Sequence, residues 1–139
     1  MGKTFLLDSS AWIEYLKGTG SDTHLFVREL RDARSDIATT EPVMAELLMG
    51  TKGEKQFLLV EQMLNEHTLL SVEPHLDFRD SAVIYREARS KGKTIRKAYD
   101  CLIAAVALRT DAVLVHSDRD FDHLAEVVPK LRTQRHNRC

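Results

Sequence analysis

The chain has 139 residues, of which 43% are hydrophobic, and a formal net charge of −1. This length predicts a single domain spanning 1–139 with its own core. No apolar run reaches the ~18 residues of a membrane-spanning helix, and no signal peptide precedes the first predicted strand. The two cysteines, Cys101 and Cys139, match no metal-binding spacing. We therefore expect a cytoplasmic protein without membrane association, and the overall charge predicts no polyanionic partner.

The chain opens with a buried strand that ends directly on an acid. The apolar run Phe5–Leu7 is typical of a strand covered on both faces, and Asp8 follows it. Ser9 or Ser10 can cap the next helix, and Gly18 would end it. Ligands of open α/β sheets bind just beyond the carboxyl ends of the strands. Asp8 therefore lies where a functional site is expected.

Helices and strands alternate along the rest of the chain. Helices are predicted over residues 22–33, 41–50, 54–66, 77–90, 98–109 and 119–126, and strands over 36–39, 68–72, 112–116 and, at an edge, 127–128. Their periodicity predicts two inward faces. They are Phe57, Val60 and Leu64 of the helix at 54–66, and Phe78, Ala82, Tyr85 and Ala88 of the helix at 77–90. The alternation predicts an α/β fold with three layers, α/β/α, around a mostly parallel sheet of four to five strands.

Four carboxylates have positions that would bring them to one edge of this sheet. Asp8 and Asp118 follow strands, whereas Glu46 and Asp100 lie in the first two turns of helices. The carboxyl end of a strand and the start of the following helix share an edge in such folds. Asp120, two residues beyond Asp118, is a candidate fifth member of the group.

Carboxylates gathered in one crevice raise each other's pKa or require a cation. Oxygen ligands without cysteines or paired histidines favour Mg²⁺, with Mn²⁺ as a substitute. Such ions promote phosphodiester hydrolysis. Each acid alone has a simpler explanation, since Glu46 and Asp120 could be surface acids and Asp100 could complement its helix dipole. Their joint placement favours a metal site.

A basic run comes immediately before Asp100. Its six cations, against the single acid Glu87, are Arg86, Arg89, Lys91, Lys93, Arg96 and Lys97. A second basic segment, 129–139, carries four cations and no acid. Such patches can bind a phosphate backbone even on a neutral protein, or they can be a solvated loop and tail. Both interpretations stay open for both segments.

These segments together resemble a PIN domain, and specifically a VapC-type toxin of a type II toxin–antitoxin pair. The matching segments are LLDSSAWI at 6–13, TEPVMAEL at 40–47, DCLIAA at 100–105 and DRDF at 118–121. The resemblance implies a Mg²⁺-dependent endoribonuclease that cleaves structured RNA, with tRNA as the expected target, and so inhibits translation. It also implies a VapB-like antitoxin as partner and a homodimer or a toxin–antitoxin hetero-oligomer.

Carried over residue by residue, the resemblance assigns both catalysis and metal binding to Asp8, Glu46, Asp100 and Asp118. Ser10 matches a small hydroxyl residue that accompanies the first acid, and it could orient that acid or cap the helix. Where the family often has Thr two residues before the fourth acid, this chain has His116, to which we assign no role.

Other classes of protein fit the motifs less well. A phosphatase of the haloacid dehalogenase type would need a second Asp at the position of Ser10, and a Toprim nuclease would need Glu at the position of Asp8. A receiver-like signalling module would need paired acids near the first strand. A degenerate PIN fold that only binds remains an alternative. The apolar first helix, with Trp12, Tyr15 and Leu16, could be core or could form a groove for an antitoxin or dimer partner.

Overall fold

A computed structural model describes residues 2–135, with no description of the Arg135 side chain, so Arg138 and Cys139 of the basic tail lie outside it. Within this range the chain forms a single five-stranded sheet. Its strands are β1 (Thr4–Leu7), β2 (Asp36–Thr39), β3 (Thr68–Leu69), β4 (Val113–His116) and β5 (Thr133–Arg135). They lie in the order β3-β2-β1-β4-β5, and every neighbouring pair is parallel.

Seven helices connect these strands within residues 2–135. They are α1 (Ser9–Leu16), α2 (Asp22–Asp32), α3 (Glu41–Met49), α4 (Gly53–Asn65), α5 (Pro74–Ser90), α6 (Ala98–Thr110) and α7 (Arg119–Val127). Helix α1 packs on α2 and α3, and α3 packs on α4, whereas α5, α6 and α7 pack on one another. The sheet lies between these two groups, which confirms the predicted α/β/α architecture. No helix in the described part of the chain is long and apolar enough to cross a bilayer.

The strand order creates a switch point between β1 and β4. From β1 the chain moves outward through β2 to β3, then returns through α5 and α6 to place β4 on the other side of β1. Helices leaving β1 and β4 therefore diverge to opposite faces, and a crevice opens beyond the carboxyl ends of these two strands. The most buried part of the sheet lies directly behind this crevice, since Leu6, Leu7, Leu114 and Val115 are all fully buried.

The predicted edge strand at residues 127–128 is wrong. Val127 is the last residue of α7, and the edge strand is β5, six residues later, which pairs with β4. Phe121, Leu124 and Val127 recur at helical spacing and are buried together, so the apolar stripe of α7 includes the residue assigned to a strand.

The predicted inward face of α5 is wrong for Phe78 and Ala82, whereas Ala88 is buried as predicted and Tyr85 is half-buried. Phe78 is 58% exposed and Ala82 is exposed, while Ile84 and Ala88 are buried. The fully buried Asp77 turns toward the core because Arg109 of α6 binds both of its carboxylate oxygens, at 2.9–3.2 Å. In α4, Phe57 is 37% exposed, whereas the inward positions of that helix are Val60 and Leu64.

Candidate metal centre at the switch point of the sheet

Two hydrogen bonds join the loops that leave β1 and β4. The Asp8 amide donates to the Val115 carbonyl at 3.0 Å, and the Ser117 amide donates to Ser10 Oγ at 2.9 Å. The first acid after β1 and the loop that carries Asp118 are thereby held side by side. This is the arrangement that the sequence predicted for these two segments.

Asp8 has one satisfied carboxylate oxygen and one unsatisfied one. Its Oδ2 accepts hydrogen bonds from the Ser10 amide at 3.0 Å and from Ser10 Oγ at 2.7 Å, so Asp8 itself, rather than Ser9 or Ser10, is the N-cap of α1. Its Oδ1 is buried and has no hydrogen-bond partner among residues 2–135. Burial raises the pKa of Asp8 from its ordinary 3.8 to about 6, against the hydrogen bonds from Ser10 and with a contribution from the charge of Glu46.

Asp100 repeats this pattern in the first turn of α6. Its side chain is 2% exposed, and its Oδ2 has no partner within the described residues. Burial is the main cause that raises the pKa of Asp100 to about 8, and the negative charges of Asp8 and Asp118 add to it. The nearby charge of Lys97 opposes the rise. An acid in this state is stabilised either by a proton or by a cation.

Three carboxylates converge within ligand distance of one another. Asp100, Asp118 and Asp120 each offer an oxygen, and these oxygens all lie within 4.8 Å. Asp118 is the N-cap of α7, where its Oδ1 accepts the Asp120 amide at 3.0 Å. Asp8, whose charge acts on Asp100, adds one more hard, anionic ligand beside this group, since its Oδ1 has no hydrogen-bond partner among residues 2–135. The donor set therefore fits a divalent cation that prefers oxygen, such as Mg²⁺ or Mn²⁺.

Glu46 lies at the side of this group rather than in it. It is half-buried on α3, and Ser9 Oγ donates to its Oε1 at 3.1 Å. Its charge reaches Asp8, because it contributes to the raised pKa of that acid. Glu46 is thus held toward the crevice by the residue that follows Asp8, a role of Ser9 that the sequence interpretation missed.

The structure divides the basic run that precedes α6. Arg96 contacts Asp118 and Asp120 in the crevice, and the charge of Lys97 acts on Asp100. The other four cations do not contact the acidic group, although Arg86 lies in a groove that adjoins it. Lys91 pairs with Glu87 at 3.3 Å, Lys93 pairs with Glu126 at 3.0 Å, Arg89 lies over the Tyr85 ring, and Arg86 lines a groove with Arg96.

His116 supports the fourth acid, which the sequence interpretation did not foresee. It is fully buried at the end of β4, and its Nδ1 accepts the Asp118 amide at 3.2 Å. Its ring packs against Phe121, with 5.2 Å between ring centroids. A side-chain acceptor that binds the amide two residues later is a common turn device of Asn, Asp, Ser and Thr. The position of His116, two residues before Asp118, is the sequence feature that could have indicated this role.

The fold and the site together define a class of protein. It is an α/β/α domain with a parallel sheet and a candidate metal centre at the switch point of that sheet. Residues 5–127 match the PIN domain family model, and the chain belongs to the PIN-domain family. It is 42% identical over 123 residues to VapC ribonuclease Mb1587 of Mycobacterium bovis and to ribonuclease VapC11 of Mycobacterium tuberculosis. These alignments cover 88% of this chain and 92% of each relative.

Solved structures share the fold at lower identity. VapBC2 from Rickettsia felis, bound to a DNA fragment from its promoter, matches with a TM-score of 0.74 and 21% identity, over 96% of this chain and 99% of that one. DNA-bound VapBC from Salmonella typhimurium matches with a TM-score of 0.75 and 21% identity, over 97% and 98% of the two chains.

Proposed function

We propose that this protein is an endoribonuclease that depends on a divalent metal ion, Mg²⁺ with Mn²⁺ as a substitute, and acts as the toxin of a toxin–antitoxin pair. The observation that carries the proposal is the pair of buried, unpartnered oxygens, Asp8 Oδ1 and Asp100 Oδ2, at the switch point of the sheet. The ribonuclease names of the relatives with 42% identity support it. A degenerate fold that only binds a partner would not require two buried acids with raised pKa values at this position.

In this proposal Asp8, Asp100 and Asp118 hold the ion, and Glu46 approaches it from α3. When bound, such an ion would activate water and stabilise the charge that develops on a phosphodiester undergoing hydrolysis. Ser10 fixes Asp8 by binding its Oδ2, which leaves Oδ1 free for a ligand. The Asp120 amide binds Asp118 Oδ1 in a similar way, and His116 fixes the backbone of Asp118 by accepting its amide. The chemistry requires no nucleophilic side chain.

The substrate in this proposal is structured RNA, cleaved in a single-stranded loop, with tRNA as the expected target and inhibition of translation as the result. Bases in such loops can be splayed out, which opens the backbone to a crevice of this kind. Lys97 and Arg86 are exposed near the crevice and its adjoining groove, so they are the cations of the basic run best placed to contact phosphates. Lys91 and Lys93 are already paired with acids.

The proposed partner is a VapB-like antitoxin, and a groove beside Glu46 is the surface that we assign to it. The groove lies between α1, α3 and α4 and is lined by apolar residues that include Ile13, Leu16, Leu47 and Val60. Leu16 is 45% exposed, so α1 serves both the core, through Trp12, and this groove. The similarity to structures named VapBC, a family of toxin–antitoxin systems, supports a partner of this class. We further propose that the protein is a single domain spanning 1–139 and that it acts in the cytoplasm. It would form a homodimer or a hetero-oligomer with the antitoxin.

The test is cleavage of RNA by the purified, antitoxin-free protein, followed by sequencing of the RNA ends. We expect discrete cuts in the presence of Mg²⁺, no cuts in excess EDTA and recovery when Mn²⁺ is added. Cleavage that continues in EDTA would rule out the metal mechanism. Tight antitoxin binding with no cleavage of any RNA in Mg²⁺ would favour the degenerate binding module.

A further inference from the structure

Arg96 is bound to the acidic group by both its backbone and its side chain. Its amide donates to Asp120 Oδ2 at 3.1 Å, and its Nε lies 3.3 Å from each Asp120 oxygen. Its Nη2 donates to Asp118 Oδ1 at 3.2 Å. Asp120 is 2% exposed, so this guanidinium neutralises a carboxylate that water does not reach. Arginine keeps its charge at any working pH.

These contacts occupy carboxylate oxygens of Asp118 and Asp120 that could otherwise bind a metal ion. Both Asp120 oxygens bind Arg96, and Asp118 Oδ1 accepts both Arg96 and the Asp120 amide. Four oxygens of the remaining acids stay free of hydrogen bonds from residues 2–135, namely Asp8 Oδ1, both oxygens of Asp100 and Asp118 Oδ2. A second divalent ion held by the group of Asp100, Asp118 and Asp120, ~3.5–4 Å from the first, would need oxygens that Arg96 already binds.

We propose that Arg96 is a built-in cation that stands where a second metal ion would bind, so that the crevice takes a single divalent ion through Asp8, Asp100 and Asp118. This inference rests on the proposed metal-dependent function. Arg96 acts as a positioning residue, because its hydrogen bonds fix the orientation of Asp118 and Asp120. Its backbone bond to Asp120 also ties the segment before α6 to α7, and α6 carries Asp100.

The number of ions bound per chain tests this inference. Mn²⁺ is titrated into the purified full-length protein, and bound ion is measured from the loss of the free-Mn²⁺ EPR signal. We expect one ion for the wild type and two for R96M, since the freed oxygens of Asp118 and Asp120 then form a second site. R96K restores a positive charge and should again bind one ion. The matched control R79M, on the exposed surface of α5, should also bind one.

The outcomes separate this inference from the proposed function. Two ions in the wild type, or a single ion in a folded R96M, would overturn the role of Arg96 and leave the metal centre intact. No ion in the wild type would overturn the proposed function and this inference with it. Should R96M fail to fold, as judged by circular dichroism, R96Q removes the charge and retains a hydrogen-bond donor, and it should also bind two ions.

Discussion

Asp8 and Asp100 each bury a carboxylate of which one oxygen has no partner. Burying such an oxygen costs free energy that the rest of the fold must offset. Asp8 and Asp100 lie near each other at the switch point. Ser10 stabilises the charge of Asp8 and Lys97 that of Asp100, but these contacts offset only part of the free energy of burial. Buried acids with perturbed pKa values cluster at functional sites, where a bound ligand can satisfy the unpaired oxygens.

Replacing Asp100 with asparagine should separate function from folding. D100N removes an anionic ligand but retains the shape of the side chain, so we expect RNA cleavage to fall by more than ~100-fold while the protein stays folded. The control is D32N, which alters an exposed acid on α2 and should cleave at the wild-type rate. Wild-type cleavage by D100N would remove this acid from the centre.

The raised pKa of Asp100 predicts how stability depends on pH when no metal is bound. Its pKa is about 8 in the folded protein against 3.8 ordinarily, so the folded state binds the additional proton between about pH 4 and 8. The melting temperature in EDTA should therefore fall as pH rises from 5.5 to 8.5, through roughly this window. D100N should show a shallower fall, because asparagine does not ionise. Equal slopes for the two proteins would contradict the shift.

His116 should matter as a hydrogen-bond acceptor. In H116N the side-chain oxygen can replace Nδ1 and accept the Asp118 amide, so we expect cleavage near the wild-type rate. H116F retains the packing on Phe121 but loses the acceptor, and it should lower cleavage by about 10–100-fold, the usual effect of losing a support for a metal ligand. Equal activities of the two variants, measured with saturating RNA, would show that only packing matters.

At the scale of secondary structure, local sequence patterns predicted most elements. They failed where tertiary contacts determine the conformation or the buried face of a segment. The apolar run before Asp8, the Pro42 turn and the uniformly apolar α6 are strong signals, and β1, α3 and α6 formed as predicted. Strand β5 was missed because its three residues carry no apolar pattern and exist as a strand only by pairing with β4. Phe78 and Ala82 were wrongly placed on the inward face of α5 because the buried Asp77 depends on Arg109, thirty-two residues away.

The Asp77–Arg109 pair yields a prediction about stability. Asp77 is fully buried, and Arg109 also donates to the Ser71 carbonyl, so the pair ties α5 and the segment after β3 to α6. R109M would leave a buried, unpaired carboxylate, at a cost of about 3 kcal/mol. Thermal denaturation should show a melting temperature lower by roughly 10 °C. R79M, an exposed arginine on α5, is the control, and an equal melting temperature for both variants would contradict the role of this pair.

At the scale of the whole molecule, the site is a product of topology. Asp8 and Asp118 are 110 residues apart in the sequence, and they meet because β1 and β4 are neighbours in the sheet. The alternation of elements was enough to predict that these acids share an edge. It could not predict that Arg96 would enter the group, because a cation in a basic loop has the same local pattern whether it binds solvent, RNA or a buried acid.

A divalent ion bound between β1 and α6 is the central feature of the proposed site. Anomalous scattering from crystals grown with millimolar Mn²⁺ measures this directly. We expect a peak at coordination distance, roughly 2.1 Å, from both Asp8 Oδ1 and Asp100 Oδ2. The contradicting result is a crystal in the same solution with no peak in the crevice, or with the two carboxylates hydrogen-bonded to each other through a shared proton.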